Sequence, residues 1–138
     1  MSTVITYGTF DLFHIGHVNL LKRARSLGDK LIVAVSTDEF NKAKGKTTLV
    51  PYEHRVAILE SCRYVDLVIP ENDWAQKKRD ISEYNVAIFV IGDDWRGKFD
   101  ELSELCQVVY LERTKDISSS AMKQAIEIFT RLQIELGS

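Results

Sequence analysis

The sequence predicts an α/β fold, a single doubly wound domain over residues 1–138 with a five-stranded parallel sheet. Five short apolar runs, mostly rich in Val and Ile, are apolar on successive residues. Such continuous runs are typical of strands that are covered on both faces. Helical patterns separate most of these runs, so strand and helix alternate along the chain. A length of 138 residues suits one hydrophobic core.

The predicted strands share this continuous apolar character and a short length. In chain order they are 3–8, 30–37, 65–70, 86–92 and 107–112. The predicted helices, in chain order, are 17–28, 51–62, 74–84, 98–105 and 118–136.

Each helix is predicted from its own signals. The first carries its apolar side chains on one face and ends at Gly28, a favoured C-terminal residue. The second begins with Pro51, which suits the first turn of a helix. The third and fourth are short and polar, and the last begins with serines and continues as a long amphipathic run. Residues 38–50 are predicted to be a long loop.

Composition and charge exclude several classes of protein. The chain has 18 basic and 20 acidic side chains, a net charge of −2. Sequence-independent nucleic-acid binding needs a strong positive excess, so no nucleic-acid partner is expected. The N-terminus has no signal-peptide pattern, and no stretch approaches the roughly 20 apolar residues of a membrane span. We therefore expect a cytoplasmic protein.

Polar clusters follow four of the five predicted strands. In doubly wound sheets, ligands bind beyond the carboxyl ends of the strands, where the strand order reverses. The clusters are Gly8–Asp11 with the histidines that follow, Ser36–Asp38 with a lysine-rich loop, Gly92–Trp95, and Arg113–Thr114 with a serine-rich helix start. Because these clusters share one edge of the predicted sheet, they predict a functional site there.

His14 and His17 flank Gly16 at the start of the first helix. A metal-binding pair is one interpretation, but no further ligand is spaced to complete a tetrahedral set. A purely structural role as capping or core histidines is a second. The third is phosphate binding, since helix-start amides favour anions and Gly16 allows close approach.

The other clusters leave similar alternatives open. Lys42, Lys44 and Lys46 alternate, so in an extended loop they would point the same way, toward either solvent or the site. Arg113 suits phosphate oxygens. The serines at 118–120 are either a plain N-cap or part of an anion site.

Three further side chains are harder to interpret. Trp74 and Trp95 are expected to pack rather than to stack on a base. Arg63 is expected to pair with Asp66.

The segments "TYGTFDLFHIGH" (6–17) and "RTKDISSS" (113–120) resemble the cytidylyltransferase branch of the HxGH nucleotidyltransferases. The resemblance extends from Val4 to about Ile126. It implies a Rossmann-like fold, a homodimer, and transfer of CMP from CTP to sn-glycerol 3-phosphate, with CDP-glycerol and pyrophosphate as products. The acceptor phosphate would attack the α-phosphorus in line. Mg²⁺ would arrive with CTP, with no dedicated side-chain metal site, and the product would suit teichoic acid or capsule biosynthesis.

The resemblance also implies residue roles. The implied catalytic residues are His14, His17, Lys46 and Arg113. The implied nucleotide-binding residues are Gly8, Thr9, Phe10, Gly16, Arg63, Gly92, Asp94, Thr114, Ile117, Ser118, Ser119 and Ser120. The implied acceptor-binding residues are Asp11, Lys44, Arg55 and Lys77.

Asp116 stands where the family pattern has glycine. Its carboxylate would lie near the triphosphate and weaken CTP binding. Because of Asp116, a nucleotide-binding module with little turnover stays open as an alternative. A second alternative is a cytidylyltransferase for another acceptor, such as phosphoethanolamine or a polyol phosphate.

Overall fold

The computed structural model describes residues 2–114 and 118–137, with side chains described as far as residue 135. The strands are β1 (Thr3–Gly8), β2 (Lys30–Ser36), β3 (Leu67–Glu71), β4 (Val86–Gly92) and β5 (Gln107–Leu111). The helices are α1 (Ile15–Ser26), α2 (Asp38–Ala43), α3 (Tyr52–Glu60), α4 (Gln76–Glu83) and α5 (Ser119–Gly137). Short 3₁₀ turns lie at Asp93–Trp95 and Asp100–Glu104.

The strands form one parallel sheet in the order β3-β2-β1-β4-β5. The central strand β1 pairs with β2 on one side and β4 on the other, and Thr6 faces Val33 and Val90 in the two registers. The chain therefore reverses its winding direction between β1 and β4, which opens a crevice at the carboxyl ends of these strands. The predicted fold class is confirmed.

The core consists of two apolar layers, one on each face of the sheet. Val33 and its neighbours on one face pack with Leu21 of α1 and Leu59 of α3. Ile32 and its neighbours on the other face pack with Ile81 of α4. Successive strand residues point to opposite faces, so strands covered on both sides are apolar at every position. Each fully buried aliphatic side chain contributes about 1.5–3 kcal/mol.

The predicted loop at 38–50 contains a helix, so this prediction is wrong over α2. The Thr37 side chain caps the helix by accepting from the Phe40 amide, and acidic residues occupy the first turn, which favours a helix start. Lys42 lies on this helix, whereas Lys44 and Lys46 follow it. The three lysines therefore do not share one extended segment.

Three other predictions differ from the structure. The segment 98–105 forms only the 3₁₀ turn at Asp100–Glu104, and α1 begins at Ile15 rather than at residue 17. Asp66 pairs with Arg25 at 3.0 Å and accepts from the Leu31 amide at 2.8 Å. The predicted pair of Arg63 with Asp66 is therefore wrong.

The last helix, α5, begins against the body of the molecule and then extends into solvent. The Ser119 hydroxyl donates to the Asp11 carbonyl at 2.6 Å. Farther along the helix, large apolar side chains are exposed: Ile126, Ile128, Phe129, Leu132 and Ile134. Among the described residues, no helix combines the length and the apolar character that crossing a membrane requires.

Candidate active site

A cavity of about 690 Å³ opens at the carboxyl ends of the strands, above the β1–β4 switch point. Residues from all four predicted polar clusters line it. The predicted site residues in its lining are Gly8, Thr9, Phe10, Asp11, His14, Gly16, His17, Lys44, Lys46, Lys77, Gly92, Asp94, Arg113, Thr114, Ser118, Ser119 and Ser120. Arg55 and Arg63 do not belong to the lining. Ile117 and Asp116 lie outside the described residues.

His14 and His17 cap α1 and stack on each other, with ring centroids 3.9 Å apart. Nδ1 of His14 accepts from the Gly16 amide at 3.0 Å, and Nδ1 of His17 accepts from the His14 amide at 3.2 Å. A neutral imidazole whose Nδ1 accepts a hydrogen bond carries its hydrogen on Nε2. Both rings therefore keep an Nε2–H donor for a ligand, so capping and ligand binding are compatible.

Both imidazoles are uncharged near neutral pH in the absence of a ligand. Burial lowers the pKa of His17 to about 4, with a further contribution from the neighbouring His14. Burial also lowers the pKa of His14, and the positive charge of Arg113 lowers it further. A polyanion in the cavity would oppose both effects, because it favours the charged imidazole.

The Asp11 carboxylate is 2% exposed and fully occupied by protein donors. Oδ1 accepts from the amides of Leu12 at 3.1 Å and Val50 at 2.9 Å. Oδ2 accepts from the Leu49 amide at 2.8 Å and pairs with Lys123 at 3.0 Å. Burial by itself raises the pKa of Asp11, but these donors outweigh it and the net pKa is lowered.

The turn around Asp11 is strained. Phe10 and Leu12 have φ values of 54° and 48°, in the left-handed region that non-glycine residues seldom adopt. Such conformations cost about 1–3 kcal/mol each and persist where surrounding contacts enforce them. The bonds to Asp11 provide that enforcement.

Arg55, a predicted acceptor-binding residue, is buried and lies behind the cavity lining. The guanidinium is 1% exposed and donates to the carbonyls of Val50, Thr9 and Ser36. It also pairs with Asp38 at 2.7 Å. Its donors are therefore directed into the loops that frame the cavity.

Arg63, a predicted nucleotide-binding residue, does not line the cavity of this chain either. The residue is exposed and follows α3, and its guanidinium lies 5.9 Å from the centroid of the Tyr64 ring. The local sequence did not reveal that the end of α3 lies away from the cavity.

One end of the cavity, beside the carboxyl ends of β2 and β3, holds a buried charged network. Lys77 Nζ pairs with Glu71 at 2.9 Å, and both side chains are nearly buried. The other oxygen of Glu71 accepts from Ser36 at 3.0 Å, and the same hydroxyl accepts from Lys44 at 3.1 Å. Trp74 covers this end, with both ammonium groups within 5.5 Å of its ring centroid. This end can receive a small anion that also carries hydroxyl groups.

The side chains at the other end, beside the carboxyl ends of β4 and β5, are more exposed to solvent. Arg113 pairs with Asp94 at 3.0 Å, and both side chains are about half exposed. The Ser118 hydroxyl accepts from the Ala121 amide at 3.1 Å, as an N-cap does. Lys46 has no ion-pair partner among the described residues. Arg113 and the start of α5 can bind phosphate oxygens here.

Several lining residues escaped the sequence analysis. Tyr7 and Ile91 lie one residue before the ends of apolar strands, where the pattern indicates core. Glu71 directly follows the predicted strand 65–70. Lys123 lies one turn inside a helix that showed only amphipathic periodicity. The residues concerned are Tyr7, Leu20, Thr47, Thr48, Glu71, Trp74, Ile91, Phe99, Leu111, Glu112 and Lys123. Glu71 ends β3 at the functional edge, and that position is a signal that could have found it.

Residues 2–114 and 118–137 include several His, Cys, Asp and Glu side chains. No group of three or more His, Cys, Asp or Glu side chains there is arranged to hold a metal ion.

A parallel sheet with capping imidazoles, lysines and helix-start hydroxyls around its switch point defines a nucleotide-binding α/β enzyme. The fold matches the lipopolysaccharide core biosynthesis protein from Thermoplasma volcanium, with a TM-score of 0.71, 25% identity, and coverage of 83% of this chain and 99% of that one. The model of the cytidylyltransferase-like family matches residues 5–125. The chain belongs to this family, which confirms the resemblance of its motifs.

Two curated relatives are similar over nearly their whole length. The glycerol-3-phosphate cytidylyltransferase of Bacillus subtilis is 60% identical over 126 residues, which are 91% of this chain and 98% of the relative. The enzyme of the same name from Staphylococcus aureus is 56% identical over 126 residues, 91% and 96% of the two chains.

Proposed function

We propose that the protein transfers CMP from CTP to sn-glycerol 3-phosphate and releases CDP-glycerol and pyrophosphate. The observation that carries the proposal is the 60% identity, over 91% of this chain, to a relative named glycerol-3-phosphate cytidylyltransferase. The cavity supports it, because it offers cationic side chains at both ends and imidazole donors between them.

The proposed reaction is a direct displacement. An oxygen of the acceptor phosphate attacks the α-phosphorus of CTP, a new P–O bond forms, and the bond to the bridging oxygen breaks as pyrophosphate leaves. The Nε2–H groups of His14 and His17 donate to phosphate oxygens as negative charge shifts during the displacement. Positioning and charge stabilisation supply the catalysis, since no covalent enzyme intermediate is needed.

The triphosphate is proposed to bind toward the start of α5. Arg113 and the hydroxyls of Ser118–Ser120 hold the β- and γ-phosphates, and Lys46 neutralises part of their charge. Arg113 exchanges Asp94 for phosphate when CTP binds, because the pair is exposed and therefore weak. Mg²⁺ enters as the ion that accompanies CTP.

Glycerol 3-phosphate is proposed to bind at the opposite end. Lys44 and Lys77 contact its phosphate, while the Glu71–Ser36 pair lies within reach of a polyol. A cationic acceptor such as phosphoethanolamine would place an ammonium group against these lysines, which is unfavourable.

The setting of the enzyme is proposed from the resemblance. We expect a cytoplasmic homodimer whose product serves teichoic acid or capsule synthesis. Size-exclusion chromatography with light scattering gives the mass of the protein in solution. A dimer would have twice the 15.8 kDa mass of the chain, and a mass equal to that of one chain would contradict the dimer.

Pyrophosphate release is the test of the reaction. The purified protein is incubated with Mg²⁺ and CTP, with and without sn-glycerol 3-phosphate, and with ATP and phosphoethanolamine as controls. Release that requires both CTP and glycerol 3-phosphate is the expected result. Release with a different acceptor would move the specificity, and CTP binding without release under any condition would identify a binding module instead.

A further inference from the structure

Lys123 occupies a junction between three parts of the site. We propose that it is a positioning residue that latches the start of α5 and the segment 46–50 onto the turn after β1. This inference deepens the proposed function, since its kinetic consequences rest on CTP being the substrate. The ammonium group contacts Asp11 Oδ2 at 3.0 Å and the Thr47 carbonyl at 3.0 Å.

The segment 46–50 carries Lys46 and is held by Asp11 and Lys123 on one side and by Arg55, which donates to the Val50 carbonyl at 2.9 Å, on the other. Asp11 accepts from the amides of Leu49 and Val50, and Lys123 donates to the Thr47 carbonyl. At its other end the Lys46 amide donates to the Asn41 carbonyl at 2.8 Å. The backbone of Lys46 is therefore fixed between α2 and the latch.

The same contacts hold the first turn of α5. Ser119, one turn before Lys123, donates to the Asp11 carbonyl at 2.6 Å. Residues i and i+4 of a helix lie on the same face, so the hydroxyl and the ammonium group reach Asp11 together. Ser118–Ser120 are thereby placed beside the turn that leads to the histidines.

Lys123 also compensates the charge of Asp11. The carboxylate is 2% exposed, and Asp11 is one of the residues that line the cavity. Removing the ammonium group leaves a buried anion with amide donors only, which is costly and repels phosphate. The latch therefore acts through Asp11, Lys46 and the serines rather than through a bond of its own to substrate.

Amide exchange of the free protein tests the latch without any substrate. Lys123→Met should accelerate hydrogen–deuterium exchange of the Leu49 and Val50 amides about tenfold or more, because a charge-assisted contact is lost. Lys123→Arg should restore much of the protection. Arg131→Met, two turns farther along α5, is the matched control and should leave these amides unchanged. Unchanged exchange in Lys123→Met would overturn the proposal.

Steady-state kinetics provides the second arm. Lys123→Met should raise KM for CTP about 10- to 100-fold, with a smaller change in KM for the acceptor, and Lys123→Arg should recover most of the loss. Losses from Lys123→Met and Asp11→Asn should be strongly non-additive in the double variant. Additive losses, or a raised KM with normal amide exchange, would show a direct phosphate contact and refute the latch. Failure of the wild type to turn over CTP would instead refute the proposed function, while the exchange result would still decide the latch.

Discussion

We propose two roles for the His14 side chain, and substitution can separate them. Its Nδ1 caps α1 by accepting from the Gly16 amide, which leaves the Nε2–H for a ligand. Serine is also a good N-cap, because its hydroxyl accepts from amides of the first turn.

His14→Ser should therefore keep the helix and lose the donor. We expect kcat to fall about 10²- to 10³-fold, the loss typical of one transition-state donor, with the urea midpoint little changed. His14→Ala should lose both the cap and the donor. Near-normal turnover in His14→Ser would contradict the proposed role of the imidazole.

The lowered pKa of His17 predicts that the free energy of unfolding depends on pH. Burial lowers its folded-state pKa to about 4 from 6.5, so the unfolded chain binds the proton more readily between these values. Stability is therefore lost as the pH falls from about 6.5 toward 4. A glutamine at this helix position can accept from the capping residue without titrating.

Comparison of the wild type with His17→Gln measures this effect. Between pH 7 and pH 4.5 the wild type should lose about 2 kcal/mol more unfolding free energy than the variant. Urea unfolding at each pH gives both values. Parallel pH profiles for the two proteins would show that His17 is not buried in its neutral form.

At the scale of elements, the loops after β1 and β2 depend on Arg55 of α3. Its guanidinium satisfies carbonyls of Thr9, Ser36 and Val50 and pairs with Asp38. Removing it leaves buried acceptors without donors, and a buried unpaired acceptor costs about 1–3 kcal/mol.

Arg55→Met should lower the unfolding free energy by about 3 kcal/mol or more. Arg55→Lys should rescue little, since an ammonium group cannot reproduce the planar fork. Urea denaturation measures both, and Arg63→Met, on the exposed residue after the same helix, is the control. A mild stability loss with a large rise in KM for the acceptor would restore a binding role for Arg55.

At the scale of the whole molecule, the two ends of the cavity come from opposite sides of the switch point. Lys77, with Glu71 and Lys44, lies on the β2–β3 side, whereas Arg113 and Asp94 follow β5 and β4. Strand order therefore separates the proposed sites for the two substrates. In this proposal, His14 and His17 lie between the two substrate sites.

This separation predicts a kinetic split. Lys77→Met should raise KM for the acceptor about tenfold or more and change KM for CTP little, while Arg113→Met should do the reverse, because each loses a charge-assisted contact to one substrate. Lys22→Met, on the exposed face of α1, is the control. Lys77→Met leaves the Glu71 carboxylate without its ion-pair partner. The double variant Lys77→Met, Glu71→Gln removes that unpaired charge and is compared with the single variant. Equal changes for both substrates in either variant would contradict the separation.

The sequence located most of the cavity lining because the polar clusters follow parallel strands. The carboxyl ends of such strands share one edge, so Gly8–Asp11, Gly92, Asp94 and Arg113 had to lie close together. Arg55 and Arg63, which share a chain segment with no such constraint, lie outside the lining. Whether a guanidinium on α3 points into the cavity depends on how that helix packs, and local sequence does not encode this.

By itself, the sequence determined the fold class, the five strands and the family, because periodicity, turn residues and short motifs are local properties. Only the tertiary structure decided which polar side chains form hydrogen bonds and ion pairs with one another. It showed that Asp11 is occupied by four protein donors, that Lys77 is paired with Glu71, and that Lys123 reaches the turn after β1. These contacts join residues far apart in the chain, so their distances follow from the packing of helices on the sheet.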